Sequence, residues 1–155
     1  MSEIDITAVA RVHELAFSRQ QDSEKWISCN FRASPRILIY VANQGTEIIG
    51  YIQWAQKSGF RPEVVIELEQ IGVLPSHQNK GVGSTLINES LKMVKTELKS
   101  SNSIIKHIMV TTRADNYAQQ LYRKMIGAEI ECTLKDLYSA DEVIMIARNI
   151  DKRDA

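Results

Sequence analysis

Apolar residues recur along the chain with two different periods, and the alternation of those periods outlines its elements. Between residues 5 and 18, Ile6, Val9, Val12, His13, Ala16 and Phe17 fall on one face at helical spacing, with Asp5 or Thr7 as the expected cap. A short second helix is predicted from Ser23, carrying Trp26, Ile27 and Phe31. Two β-rich runs follow, residues 36–42 and 48–54, and the polar Asn43-Gln44-Gly45-Thr46 between them reads as the turn of an antiparallel hairpin. Residues 63–74 form a further strand that runs into a glycine-containing loop. Beyond the loop, Val82, Leu86, Ile87, Leu91, Val94 and Leu98 mark a long helix over about residues 81–99. A strand near 104–112, a helix near 116–126 and two strands near 128–136 and 142–149 complete the pattern. The expected class is mixed α/β with one strand-loop-helix unit at its centre.

Composition narrows the function classes. The 155 residues, 44% hydrophobic and 25% charged, suit one globular domain spanning 1–155 with a sizeable core. Nineteen basic residues balance nineteen acidic ones, so no net field favours nucleic acid or an anionic membrane as partner. No apolar run approaches the ~20 residues needed to span a bilayer, and no N-terminal stretch combines a basic region, an apolar run and a cleavage site. A cytoplasmic location is expected. Cys29 and Cys132 stand far apart outside any C-x-x-C spacing, which suits reduced thiols. His13, His77 and His107 have no ligand partners at metal spacing, so no metal is expected.

Chemistry concentrates in Ile71-Gly-Val-Leu-Pro-Ser-His-Gln-Asn-Lys-Gly-Val-Gly-Ser84. Gly81 and Gly83 allow a tight backbone turn that presents successive N–H groups, and the helix starting there adds its positive end. Lys80 contributes a cation and Ser84 a hydroxyl donor, so charge and hydrogen bonding both suit a pyrophosphate. Read alone, the two glycines equally suit an ordinary turn at a helix start. A dinucleotide-binding G-x-G-x-x-G is excluded, because its third glycine would fall at Leu86. No Gly-Lys-Ser/Thr stands at the spacing of a Walker A loop.

Gln78-Asn79-Lys80-Gly81-Val82-Gly83 resembles the Q/R-x-x-G-x-G/A pyrophosphate loop of the GNAT superfamily of N-acetyltransferases, placed, as there, after a strand and before a long helix. A second block is similar to the same family's strand, asparagine, helix and Leu-Tyr signature: Val110-Thr-Thr-Arg-Ala-Asp-Asn116, then Ala118, Leu121-Tyr122 and Ile126-Gly127-Ala128. By eye the nearest subfamily is the one that acetylates N-terminal alanine of ribosomal proteins, which carries a similar Arg-Ala-Ser-Asn stretch. The resemblance implies a mixed, mostly antiparallel sheet with flanking helices and acetyl-CoA bound at the central strand-loop-helix unit. The family opens with a strand before its first helix; here that strand is expected to be short or missing.

The resemblance also assigns roles. Gln78, Asn79, Lys80, Gly81, Val82, Gly83 and Ser84 would cradle the pyrophosphate, and the backbone of Ile71 and Val73 would pair with the pantetheine arm. The Val73 N–H would point at the thioester carbonyl, a fixed dipole aimed at developing charge. Asn116 matches the position that hydrogen-bonds the pantetheine; it equally suits a cap for the next helix. Tyr122 matches the tyrosine that protonates or stabilises the leaving thiolate, and the ordinary values of a phenol and a thiol, about 10 and 8.5, are close. Its alternative is core filling beside Leu121 and Met125.

An amine acceptor is mostly ammonium at neutral pH and must lose a proton before attack. Glu67 and Glu69, two apart on the central strand, are the carboxylates expected to take it, with a solvated strand face as the alternative. Counted back from the glycine loop, Glu67 matches the catalytic glutamate of histone-acetylating members. The alanine-acetylating subfamily places its glutamate on the following strand, where this chain has Thr111. The acceptor side of the family fold would carry Trp26, Phe31, Asp136, Tyr138, Asp141 and Glu142, a set suited to a cationic amine such as a protein N-terminus, a polyamine or another small amine. A homodimer is compatible with the family. The alternative function is a catalytically inactive acyl-CoA-binding sensor module, which would need Gly81, Gly83 and Asn116 but neither Tyr122 nor a strand carboxylate.

Overall fold

The structure is a computed structural model and describes residues 1–152. Its elements are α1 (Ile6–Ala16), α2 (Ser23–Arg32), β1 (Ile37–Gln44), β2 (Glu47–Lys57), β3 (Glu63–Val73), α3 (Val82–Ser100), β4 (Ile104–Arg113), α4 (Gln119–Ile126), β5 (Glu129–Leu134) and β6 (Glu142–Arg148). The six strands form one sheet in the order β1-β2-β3-β4-β6-β5. β3 pairs with β4 in parallel, while β4 with β6 and β5 with β6 are antiparallel. This is the mixed, mostly antiparallel arrangement that the resemblance implies. Among the described residues no strand precedes α1, only a 3-10 turn at Glu3–Asp5. No helix of the described residues is long and apolar enough to cross a membrane.

Local differences from the periodicity have local causes. The hairpin strands extend further into the polar stretch than expected, leaving Gly45-Thr46 as a two-residue turn with Gly45 at φ +60°. Asp5 takes the N-cap position of α1 without a side-chain cap bond, because its carboxylate instead accepts from the Ser2 backbone N at 2.7 Å and Ser2 Oγ at 2.8 Å. α4 begins at Gln119 rather than 116, since Asn116 Oδ1 accepts the Ala118 N–H at 2.9 Å and shapes a turn before the helix.

The chain gathers into two compact units that share β2, β3 and α3: residues Met1–Trp54 with Gln70–Leu91, and Ala55–Glu69 with everything from Lys92 onward. In the first, Val9, Ile27, Tyr51, Ile52 and Ile87 are fully buried. Gly72 makes its close packing workable, because a Cβ there would lie 2.7 Å from Tyr51 Cε1 and 3.4 Å from Ala16 Cβ. In the second unit the sheet has two unlike faces. Ile66, Ile108, Val110, Thr112, Val143, Met145 and Ala147 share one face and are all buried. The register puts Glu67, Met109, Thr111, Arg113, Ile146, Ile144 and Glu142 on the other, where most are half-exposed.

Candidate active site

The first unit gathers the loop residues and the end of β3. After Val73 the chain turns through a 3-10 segment, Pro75–His77, and enters α3 at Val82. Asn79 at φ +59° and Gly81 at φ +84° put two left-handed residues into four, the alternation that makes backbone N–H groups converge into an anion-binding concavity. A Cβ on Gly81 would meet nothing within 4 Å, so the loop is open where an anion would approach. The first intrahelical bond of this end runs from Thr85 N to Gly81 O at 3.0 Å, and helix geometry leaves the N–H groups of Val82, Gly83 and Ser84 at the positive end of α3. Side chains brace the loop from within. Gln78 Nε2 donates to the Val73 carbonyl at 3.1 Å, and Lys80 Nζ to the Ser76 carbonyl at 2.8 Å. His77 lies within hydrogen-bond distance of Gln44 Oε1, 2.7 Å, and of Ser76 Oγ, 2.9 Å. Backbone N–H groups, a helix end and one lysine fit a pyrophosphate, the charged part of coenzyme A.

A polar cluster that the periodicity did not reveal lies behind this strand end. The buried Gln70 amide accepts from Trp26 Nε1 at 2.9 Å and Tyr51 Oη at 3.0 Å, and donates to Gln20 Oε1 at 3.1 Å. His13, fully buried in α1, meets Ser23 Oγ and Gln20 Oε1, both at 2.8 Å. Burial lowers the His13 imidazole below its usual range, and Gln20 only partly offsets this. One amide thus ties α1, the α1–α2 connection, α2 and β2 to β3, and it fixes the Trp26 indole, which is otherwise 39% exposed. The only sequence signal was a histidine and a glutamine at core positions of their elements.

The second unit gathers Glu67, Glu69, Thr111, Asn116 and Tyr122. Glu67 is buried with both carboxylate oxygens engaged: Lys57 Nζ lies 2.8 Å from Oε2, and Thr111 Oγ1 donates to Oε1 at 2.9 Å. The threonine that replaces the subfamily's glutamate therefore holds a carboxylate from the neighbouring strand. Glu69 is half-buried. Asn116 Nδ2 donates to Thr112 Oγ1 at 2.8 Å, so its amide serves the β4–α4 turn. Gln119 Nε2 donates to the carbonyls of Arg113 at 3.1 Å and Ala114 at 2.8 Å, and Ala128 N reaches the Tyr122 carbonyl at 3.4 Å, which pins α4 at both ends. Tyr122 is 5% exposed, and burial pushes its hydroxyl up to about 12. That widens its distance from a thiol, so the phenol is a hydrogen-bond donor to a thiolate rather than a matched proton source.

Trp26, Tyr138 and Asp136 are exposed, Phe31 and Asp141 are half-exposed, and Asp141 Oδ1 accepts from the Asp136 backbone N at 3.0 Å to shape the β5–β6 loop. Glu142 departs from this group: it is 6% exposed. Cys29 and Cys132 are exposed free thiols. Among the described residues no group of three or more His, Cys, Asp or Glu is placed to hold a metal ion.

The profile of the Acetyltransferase (GNAT) family matches residues 6–128, and the chain belongs to that family. It is by class an acyltransferase, and the family uses acetyl-CoA. No curated protein matches the sequence. Its fold is that of solved acetyltransferases. The ribosomal-protein-S18-alanine N-acetyltransferase of Escherichia coli superimposes with a TM-score of 0.76 at 17% identity, covering 96% of this chain and 90% of that one. NAA60 of Arabidopsis thaliana, solved with a bisubstrate analogue, gives 0.75 at 17% identity over 94% and 93%. An aminoglycoside 6'-N-acetyltransferase complexed with coenzyme A gives 0.73 at 14% identity over 96% and 93%.

Proposed function

We propose that this chain binds acetyl-CoA and transfers its acetyl group to a primary amine, either a protein N-terminus or a small amine. The observation that carries the reading is the loop 78–84, whose left-handed Asn79 and Gly81 turn backbone N–H groups outward at the start of α3. Structural relatives act on both kinds of acceptor, a ribosomal protein in one case and an aminoglycoside in another.

Acetyl-CoA, when bound, supplies the activated acyl group. The loop 78–84 holds its pyrophosphate, and the Ile71 and Val73 backbone orients the pantetheine. The Val73 N–H polarises the carbonyl that the amine attacks, a contribution of about 3 kcal/mol in comparable sites. Tyr122 donates its phenolic hydrogen to the departing thiolate. The proton lost by the ammonium goes to a carboxylate. Of the two read from the sequence, Glu67 accepts it only by giving up its pairing with Lys57, whereas Glu69 has no such ion pair with that lysine.

Thermal unfolding with and without acetyl-CoA, with ATP and NAD as controls, tests the binding. At about 100 times Kd the stabilisation is about 2.7 kcal/mol, roughly 5 to 11 °C for a chain of this size. Thiol release in the presence of amines then tests transfer. Tyr122→Phe should lower turnover by about 100-fold with acetyl-CoA affinity kept, and Glu67→Gln and Glu69→Gln are assayed beside it. A shift with acetyl-CoA but no thiol release with any amine would identify a sensor module instead. No acetyl-CoA binding in a direct titration would overturn the reading.

A further inference from the structure

Glu142 is a carboxylate in an unusual position. It opens β6, directly opposite Arg113 of β4 and Leu134 of β5 in the register, and it is 6% exposed. The obvious counter-ion is turned elsewhere: Arg113 forms a bidentate pair with the exposed Asp115, at 2.9 and 2.8 Å. Among the described residues no hydrogen bond or ion pair meets the Glu142 carboxylate, and its side chain lies on the half-open sheet face with Thr111, Met109, Ile144 and Ile146. A covered carboxylate without a partner costs stability, and such groups are kept where a ligand completes them. Glu67, at the other side of the same face, is already closed by Lys57 and Thr111.

We propose that Glu142 receives the ammonium group of the acceptor and takes its proton, with the half-exposed Met109, Ile144 and Ile146 lining the way for an aliphatic stem. This rests on the acetyltransferase reading and replaces Glu67 and Glu69 as the proton acceptor of that site. The step balances: R–NH3⁺ and the Glu142 carboxylate become R–NH2 and the Glu142 carboxylic acid, and the freed lone pair attacks the thioester carbonyl as the C–S bond breaks. Burial raises Glu142 above the usual carboxylate range; Arg113 opposes this and Asp115 adds to it. The other ionisable groups near it in the fold are Lys135, Asp136 and Asp141 of the β5–β6 loop. Further along the face stand Glu67 with Lys57, and then His107, Arg148 and Glu129 at its far end. An acceptor carrying an aliphatic primary ammonium is the class that this surface suits.

The deciding measurement is the titration of Glu142 by carboxyl-¹³C NMR of glutamate-labelled protein, its resonance assigned by its loss in Glu142→Gln. Butylammonium chloride should lower the titration midpoint by about one unit, because a cation stabilises the ionised form, while butanol should leave it in place. An unmoved midpoint, or equal shifts with both, overturns the proposal. In thiol release, Glu142→Gln should reduce kcat/KM for butylamine by about 100-fold with the KM for acetyl-CoA unchanged, and should spare hydroxylamine, which is already neutral at the assay pH. Equal losses for both acceptors, or none, would also overturn it. If the unaltered protein releases no thiol with any amine, the acetyltransferase reading has failed instead, and the carboxyl titration still decides the site.

Discussion

The buried polar groups of the two units follow opposite plans. In the first, His13, Gln20, Ser23, Trp26, Tyr51 and Gln70 form a neutral cluster in which each side chain meets at least one other. In the second, the buried groups are carboxylates: Glu67 is closed by an ion pair and a hydroxyl, and Glu142 is left open. A closed neutral network fixes geometry at small electrostatic cost, because every desolvated donor finds an acceptor. An open carboxylate gives up stability and keeps a capacity for charge and proton exchange. The contrast teaches where rigidity and where reactivity are built.

The comparison can be broken most forcefully at Gln70. Gln70→Leu removes the partner of the Trp26 indole, the Tyr51 hydroxyl and the Gln20 amide together. It should cost about 3 kcal/mol, a fall in Tm of roughly 6 to 12 °C, read by circular dichroism. A loss below about 1 kcal/mol would mean that water replaces the amide and that the network is not rigid. Next comes Gly72→Ala, whose new Cβ would press on Tyr51 at 2.7 Å, expected to cost about 2 kcal/mol by denaturant unfolding. Restoration of stability by Tyr51→Leu in the same chain would confirm the steric cause.

Acid sharpens the contrast, since each unit responds with its own sign. His13 has a folded value below its unfolded one, so its contribution is complete above about pH 6.5 and is lost as pH falls below it. Tm should drop on acidification from neutral pH, by an amount on the order of 1 kcal/mol. His13→Gln should flatten that slope, leaving the smaller share of His107, which is lowered in the same direction. Glu142 is the reverse case. Its folded value is raised, so its favourable contribution is present below about pH 4.3 and disappears as pH rises through the folded value. Glu142→Gln should therefore melt slightly higher than the unaltered protein at neutral pH, by under about 1 kcal/mol, with the gap closing in acid. A destabilised Glu142→Gln would mean that the carboxylate has a favourable partner in the fold.

Much of the site could be read from neighbouring residues. The loop 78–84 was legible because glycine spacing, a preceding strand and a following helix are all encoded within a few positions, and Tyr122 and Asn116 stood in a second block of the same kind. Glu67 was visible as a strand carboxylate, but Lys57 and Thr111 as its partners were not, since they come from two other strands. Trp26 was readable as an aromatic on a short helix; the amide that fixes it was not.

The sequence by itself determined the order of elements, the turn chemistry of the loop and the acetyltransferase pattern, because hydrophobic period, glycine placement and helix ends act between residues a few positions apart. Tertiary structure decided which polar groups meet. Gln70 reaches Trp26, Tyr51 and Gln20 across 44, 19 and 50 positions. Whether Arg113 neutralises Glu142 or Asp115 depends on strand register and side-chain direction, and no local pattern carries either.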